Sequence, residues 1–414
     1  MKRTSLLIVF LLLAGMTVSA QNTDMSFYTR EFNRSDTTIF ELLDILQMVR
    51  DENTTGIGEF YHNAIRVYLR RLPNFGSNRE RNAVEEAARL ILRGLSTEKH
   101  TEAASYVWSF IQFFDIASVL NDGLIMYEAL YTMGEIDGKM YASNIAAILD
   151  GYNERATTDQ RVKSKVQRVV PGAVHALEVL AEPVGIRPVF FTSIGWYDPE
   201  VKAIASTALH NLMTANDEII GDVISEVILN HFNLPNIKYT AWQEMLNSDT
   251  SNRAKSQVAM AAIEASYTFI ASSAESQGLL RFMRLSAIDA IRQFGTENEA
   301  IYPYLERTYR EAFETPNTDF EVIILVTRTL SALRTDEAVD LLTEFLRGLH
   351  SRRRSGPWGV PERDLMNIVI PAIASTGTQS RATIQLLTII SRNSLYTNAE
   401  QNWAGNALRI LAGQ

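Results

Sequence analysis

The residues in this chain best suited to move protons or hold a metal near neutral pH are six histidines, at positions 62, 100, 175, 210, 231 and 350. A zinc helix would set two of them four residues apart around a glutamate, as His-Glu-x-x-His, and no two histidines here stand three or four apart. Each therefore reads as a surface or packing residue, and no metal is expected. Cysteine is absent, which excludes disulfides, thiolate metal sites and lipid attachment at a cysteine. A Gly-x-Ser-x-Gly nucleophile elbow, a phosphate loop and a dinucleotide-binding Gly-x-Gly-x-x-Gly are also missing, so neither catalytic residues nor a cofactor are expected. Gly56-Ile57-Gly58 is too short a fragment to count. The acidic pairs Asp217-Glu218 and Asp336-Glu337 stand at expected helix starts, where carboxylates offset the helix dipole rather than share a proton.

Arginine offers a different chemistry. Arg352-Arg353-Arg354 precedes Ser355-Gly356-Pro357-Trp358-Gly359, a breaker-rich stretch expected as a loop between helices ending near Leu349 and beginning near Pro361. Arg and Trp are frequent anchors of binding surfaces. The plainer reading is a solvated loop with Trp358 tucked against the helices. Arg155, Arg161, Lys163, Lys165 and Arg168 enrich the start of another helix in an acidic region, where internal ion pairs are the expected use.

The elements that must carry these residues read as helices almost throughout. Phe40, Leu43, Leu46 and Val49 recur at three-residue spacing, flanked by Ile39, Leu42 and Ile45, which predicts a helix over 37–50 with Asp36 as its cap. Asp198-Pro199-Glu200 combines a capping residue, a proline suited to the first helical position and an acid that complements the dipole. It predicts a helix from Pro199 to about Thr214. Asn216-Asp217-Glu218 repeats that logic and opens a second helix, through Ile219 to Leu229. Only Arg187 to Trp196 could pass for a strand, and nothing else offers it a partner.

At the N-terminus Lys2 and Arg3, the apolar run Leu6 to Leu13 and the small residues Thr17-Val18-Ser19-Ala20 have the three parts of a secretory signal. Cleavage is expected between Ala20 and Gln21, followed by a flexible segment over 21–35. No further stretch reaches the roughly 20 apolar residues of a membrane span, so no span is expected in the mature chain. The formal net charge is −9, and loss of a leader carrying Lys2 and Arg3 makes the remainder more acidic. That balance argues against nucleic acid as a partner. Export without cysteine points to a bacterial periplasm, or to secretion.

Helix ends expected near Gly94, Gly134, Glu182, Thr214, Ser272, Gly295, Arg334, Gly377 and Ala412 space the chain at about 40 residues per helix pair. Tyr131-Thr132-Met133-Gly134-Glu135, Arg292-Gln293-Phe294-Gly295-Thr296 and Ala374-Ser375-Thr376-Gly377-Thr378 align as helix closures. Asp198-Pro199-Glu200-Val201-Lys202, followed by Ala205, Ala208-Leu209 and Leu212, resembles the second-helix signature of the HEAT/armadillo superfamily. The resemblance implies an all-α fold, a curved right-handed solenoid of antiparallel helix pairs, forming one domain over 36–414. Its softest junctions are expected at 183–197 or 234–252, where the pattern lapses. It also implies that second helices line a concave, partner-binding face.

If those helices bury Leu285, Ile288 and Ile291, then Leu325, Leu330 and Leu333, then Trp403, Ala407 and Leu411, helical geometry turns Arg284, Arg292, Arg328, Arg363, Asn402, Asn406 and Arg409 outward. Such an Arg- and Asn-rich strip suits a protein partner or an anionic envelope polymer. The expected function is that of an exported, non-enzymatic binding or scaffold protein. The alternative is an α-toroid carbohydrate-active enzyme, a polysaccharide lyase or glycosidase, whose repeated helix pairs can gather Tyr, His, Arg and carboxylates from distant positions.

Overall fold

The computed structural model describes residues 25–52, 55–72, 78–113, 123–314, 318–355 and 358–413. The signal-like segment 1–20 and its expected cleavage point lie outside them. Among the described residues the chain is all-α, with no strand, and no helix is long and apolar enough to cross a membrane.

The described residues up to Gly185, together with Gly195–Ala205, form one compact unit, and Ile186–Ile194 with those from Ser206 onward form a second. The first holds α1 (Met25–Asn33), α2 (Ile39–Asp51), α3 (Gly58–Arg71), α4 (Asn78–Glu98), α5 (Ala104–Phe113), α6 (Leu124–Glu135), α7 (Ala142–Glu154) and α8 (Gln160–Leu180). The second begins with α9 (Ile186–Ile194). α10 (Pro199–Ala215) starts in the first unit and ends in the second. Then come α11 (Ile220–Leu229), α12 (Pro235–Asn247), α13 (Asn252–Thr268), α14 (Ala274–Phe294), α15 (Ile301–Glu314) and α16 (Phe320–Leu333). The chain closes with α17 (Asp336–Ser355), α18 (Val360–Thr376), α19 (Arg381–Arg392) and α20 (Asn398–Leu411).

Within each unit most helices pack on a chain neighbour and on the next helix but one. In the first unit α2, α4, α6 and α8 follow one another, as do α1, α3 and α5, and α3 lies against α4, α5 against α6, and α7 against α8. In the second unit α12, α14, α16, α18 and α20 form one such series and α13, α15, α17 and α19 another. Hydrogen bonds tie successive members together. Thr132 Oγ1 donates to Leu92 O at 3.2 Å, Trp242 Nε1 to Ser286 Oγ at 2.8 Å, and Thr329 Oγ1 to Ile288 O at 3.4 Å. Tyr267 and Thr308 share a bond at 2.6 Å, and Thr343 and Thr383 one at 2.7 Å. The partners stand 40 to 44 residues apart in sequence.

The stripe on α10 behaves as its spacing predicts: Ala205, Ala208, Leu209 and Leu212 are fully buried and Val201 nearly so. Other expectations need correction. Residues 187–196 form no strand; they lie in α9 and the turn after it, with Val189 and Phe190 buried. The segment 21–35 carries α1, held because Phe32 is buried edge-on against Phe60, with ring centroids 5.8 Å apart. Thr38, not Asp36, caps α2, in a reciprocal box with Glu41, while Asp36 pairs with Arg34. Asp217 does not cap α11; its carboxylate takes the Ser251 N–H at 2.6 Å. Gly94 does not end a helix; it lies within α4, where a Cβ would meet the Tyr61 ring at 2.3 Å. Gly134 stands one residue before the end of α6 at Glu135, near the expected end, and a Cβ there would meet the Ala176 backbone at 2.9 Å.

Candidate functional site

The basic cluster at 352–354 is not in a loop. α17 runs on to Ser355, so the three arginines form its last turn, where positive charge complements the helix dipole. Two of them turn back onto the chain. Arg352 lies over the Phe313 ring, 3.9 Å from its centroid, and donates to Phe313 O at 2.8 Å. Arg353 donates to Leu395 O at 2.9 and 3.1 Å and stacks on Trp358 at 5.0 Å. Trp358 Nε1 in turn donates to buried Glu400 at 3.3 Å. These residues brace adjoining helices, and Arg354 is the exposed member of the three.

The Arg and Asn positions further along divide in the same way. Arg284 is 15% exposed, lies 3.3 Å from Glu311 and covers the Tyr267 ring at 4.3 Å. Arg292 pairs with Asp289 of its own helix at 2.8 Å. Arg328, Arg363, Asn402, Asn406 and Arg409 are exposed, and Arg409 donates to Asn406. Of the residues meant to support this surface, Ile288, Ile291, Leu330, Ala407 and Leu411 are buried, while Leu285, Leu325, Leu333 and Trp403 are half-buried. In the other basic segment Lys163 makes an ion pair, to Asp198 at 2.9 Å.

The histidines are not all isolated, which corrects their reading as separate surface or packing residues. His62, one turn after Glu59 on α3, has its Nδ1 3.1 Å from Nε2 of His100. Glu59 Oε2 is 3.8 Å from that Nδ1 and 3.7 Å from that Nε2. With Glu102, one ligand atom from each of the four residues falls within 4.8 Å of all the others. His62 and His100 are about one-fifth exposed and Glu59 is 81% exposed, so the cluster opens to solvent.

The connection after α4 places its second half. α4 ends with His100 N–H on Leu95 O and Lys99 N–H on Ser96 O, both at 3.2 Å, the paired bonds of a Schellman closure. Lys99 fills the left-handed position, at φ 50°, which disfavours a residue with a Cβ. That turn brings His100 against Gly58, where a Cβ would stand 2.6 Å from the imidazole Nδ1. The absence of a side chain at 58 makes room for the ring. Glu98 then fastens the two connections together, its carboxylate accepting Gly56 N–H at 2.8 Å and Ile57 N–H at 3.1 Å. The Tyr106 ring tilts against His62 with centroids 5.3 Å apart. The available signals in the sequence were Glu59-x-x-His62, His100-x-Glu102 and a separation close to the helix-pair period.

No family model matches this chain, and no curated protein does. Among solved structures, human deoxyhypusine hydroxylase in complex with glycerol is similar over 77% of this chain and 98% of its own, at 16% identity and a TM-score of 0.25.

Proposed function

We propose that this chain is an exported, non-enzymatic binding or scaffold protein built from HEAT-like repeats. In this reading its helices pair antiparallel and stack as a right-handed solenoid, with about 40 residues per pair. The observation that carries it is the recurrence of side-chain bonds between helices two apart, whose partners are 40 to 44 residues distant in sequence. A single amphipathic pair cannot cover its own apolar face, so bonds of that period are what stacked pairs require.

The surface offered to a partner is the exposed part of the arginine and asparagine set, Arg328, Arg363, Asn402, Asn406 and Arg409, with Arg354 beside it in sequence. Guanidinium groups grip carboxylates with two parallel bonds, which suits an acidic protein or an anionic envelope polymer in the periplasm or outside the cell. Arg284, Arg292, Arg352 and Arg353 already have partners within the chain and act as braces.

Immobilised wild type and the triple variant Arg328→Gln, Arg363→Gln, Arg409→Gln, incubated with envelope extract at low salt, test this. The folded variant should retain much less of the partner held by wild type. Equal retention rejects the surface, and cleavage of an added polysaccharide by wild type would move the chain to the carbohydrate-active class.

A further inference from the structure

We infer that Glu59, His62, His100 and Glu102 form a binding site for a zinc-class divalent cation, one that staples the start of α3 to the connection between α4 and α5. Four donors around tetrahedral zinc, each about 2.0–2.2 Å from the ion, stand about 3.3–3.6 Å from one another. The separations of 3.1, 3.7 and 3.8 Å among His62, His100 and Glu59 bracket that range, and all four ligand atoms fit within 4.8 Å. Small side-chain rotations complete the shell.

The donor chemistry narrows the ion. Two imidazoles and two carboxylates suit zinc, and also cobalt, nickel or copper, whereas calcium and magnesium prefer oxygen alone. Four protein donors close a tetrahedron, which makes the site a cross-link rather than a Lewis-acid centre with an open position. Without an ion, one imidazole donates to the other at 3.1 Å. With one, both nitrogens direct lone pairs at the metal. The site is assembled by features that serve the imidazole placement directly: glycine at 58, the left-handed Lys99 and the Glu98 clasp. Among the described residues His175 with Glu135, at 2.9 Å, and His210 with Glu244, at 3.0 Å, offer pairs and not sets of four.

The test uses the untagged full chain, stripped with a chelator and titrated with zinc by calorimetry. Wild type should bind one equivalent that the double variant His62→Ala, His100→Ala, of unchanged far-ultraviolet circular dichroism, does not bind. Cobalt in place of zinc should show the visible absorption of tetrahedral coordination in wild type alone. Gly58→Ala keeps every donor but displaces His100, and should weaken zinc binding about tenfold or more. Saturating zinc should raise the melting temperature of wild type by a few degrees and leave the double variant unmoved. Should the double variant unfold, Glu102→Gln replaces it, with the same loss of affinity expected. Absence of zinc binding by wild type, or equal stoichiometry and affinity in wild type and the folded variant, overturns the site.

Discussion

Glu98 clasps Ile57: one carboxylate oxygen at the end of α4 accepts the backbone N–H of Ile57 at 3.1 Å and that of Gly56 at 2.8 Å, across 41 and 42 residues of sequence. The first N–H groups of a helix have no partner within it, so this carboxylate does for α3 what a local cap does for α2. Glu98→Ala should lower stability by about 1–2 kcal/mol, since it removes a charged partner from the buried Ile57 donor and from the exposed Gly56 donor. Urea unfolding gives the magnitude. Hydrogen exchange at the Gly56 and Ile57 amides gives the location, and unchanged exchange there would show the clasp to be dispensable.

A second expectation concerns the apolar stripe of α10. Leu209 is fully buried beside Ala205, Ala208 and Leu212. A carboxylate there has no partner, so Leu209→Asp should cost several kcal/mol, on the order of 3–5. A thermal midpoint equal to that of wild type would mean that the helix can turn its stripe away.

Glycine substitutions should change sign with position. At Gly94 a Cβ would stand 2.3 to 2.4 Å from the ring of buried Tyr61, so Gly94→Ala should destabilise by about 1–3 kcal/mol. Gly278 lies in α14 with nothing within 4 Å of the Cβ position. There alanine lowers the entropy of the unfolded chain and should stabilise by up to about 1 kcal/mol. Chemical denaturation of both variants decides the pair.

Lys238 supplies a pH dependence. Lys238 as a whole is 1% exposed, and its ammonium donates to the carbonyl oxygens of Ile228 and, at 2.7 Å, of Asn230, which closes the end of α11. Burial pushes it down from its ordinary value to about 8. The folded value lies below the unfolded one, so between pH 8 and about 10.5 the unfolded chain binds the extra proton and stability rises with pH. The contribution is complete above the unfolded value and is lost as pH falls to 8. The stability of wild type minus that of Lys238→Met should therefore increase over this window, by at most about 3 kcal/mol. A flat difference would mean that the ammonium is solvated.

Much of the fold was legible because its signals are local. Asp198-Pro199-Glu200 begins a helix at Pro199, Gly377 ends one in the left-handed region at φ 75°, and the spacing through Leu209 marks the buried face. Signals that depend on a neighbour were misread. Gly94 looked like a helix end because glycine there makes room for Tyr61, a contact reaching back 33 residues. Asp217 had the residue type of a cap, and the Ser251 N–H competed for its carboxylate. The breakers Gly356 and Pro357 point to a loop around Arg352 to Arg354. Three cations in sequence also suit a last helical turn, and that is where they lie. His62 and His100 each look isolated in the sequence, and only the folded pairing of the helices, 38 residues on, brings Nδ1 of one to 3.1 Å from Nε2 of the other.

The pattern in which most helices of each unit pack on a chain neighbour and on the next but one bears on how the chain folds. Contacts formed over about 40 residues require little loop closure, so nucleation has no preferred site and can spread from any stable pair. Such an array need not unfold all at once. The end closest to a weakened pair melts first, and the calorimetric enthalpy then exceeds the van't Hoff value drawn from a single transition. A substitution such as Leu209→Asp should accordingly split the melting curve instead of only shifting it.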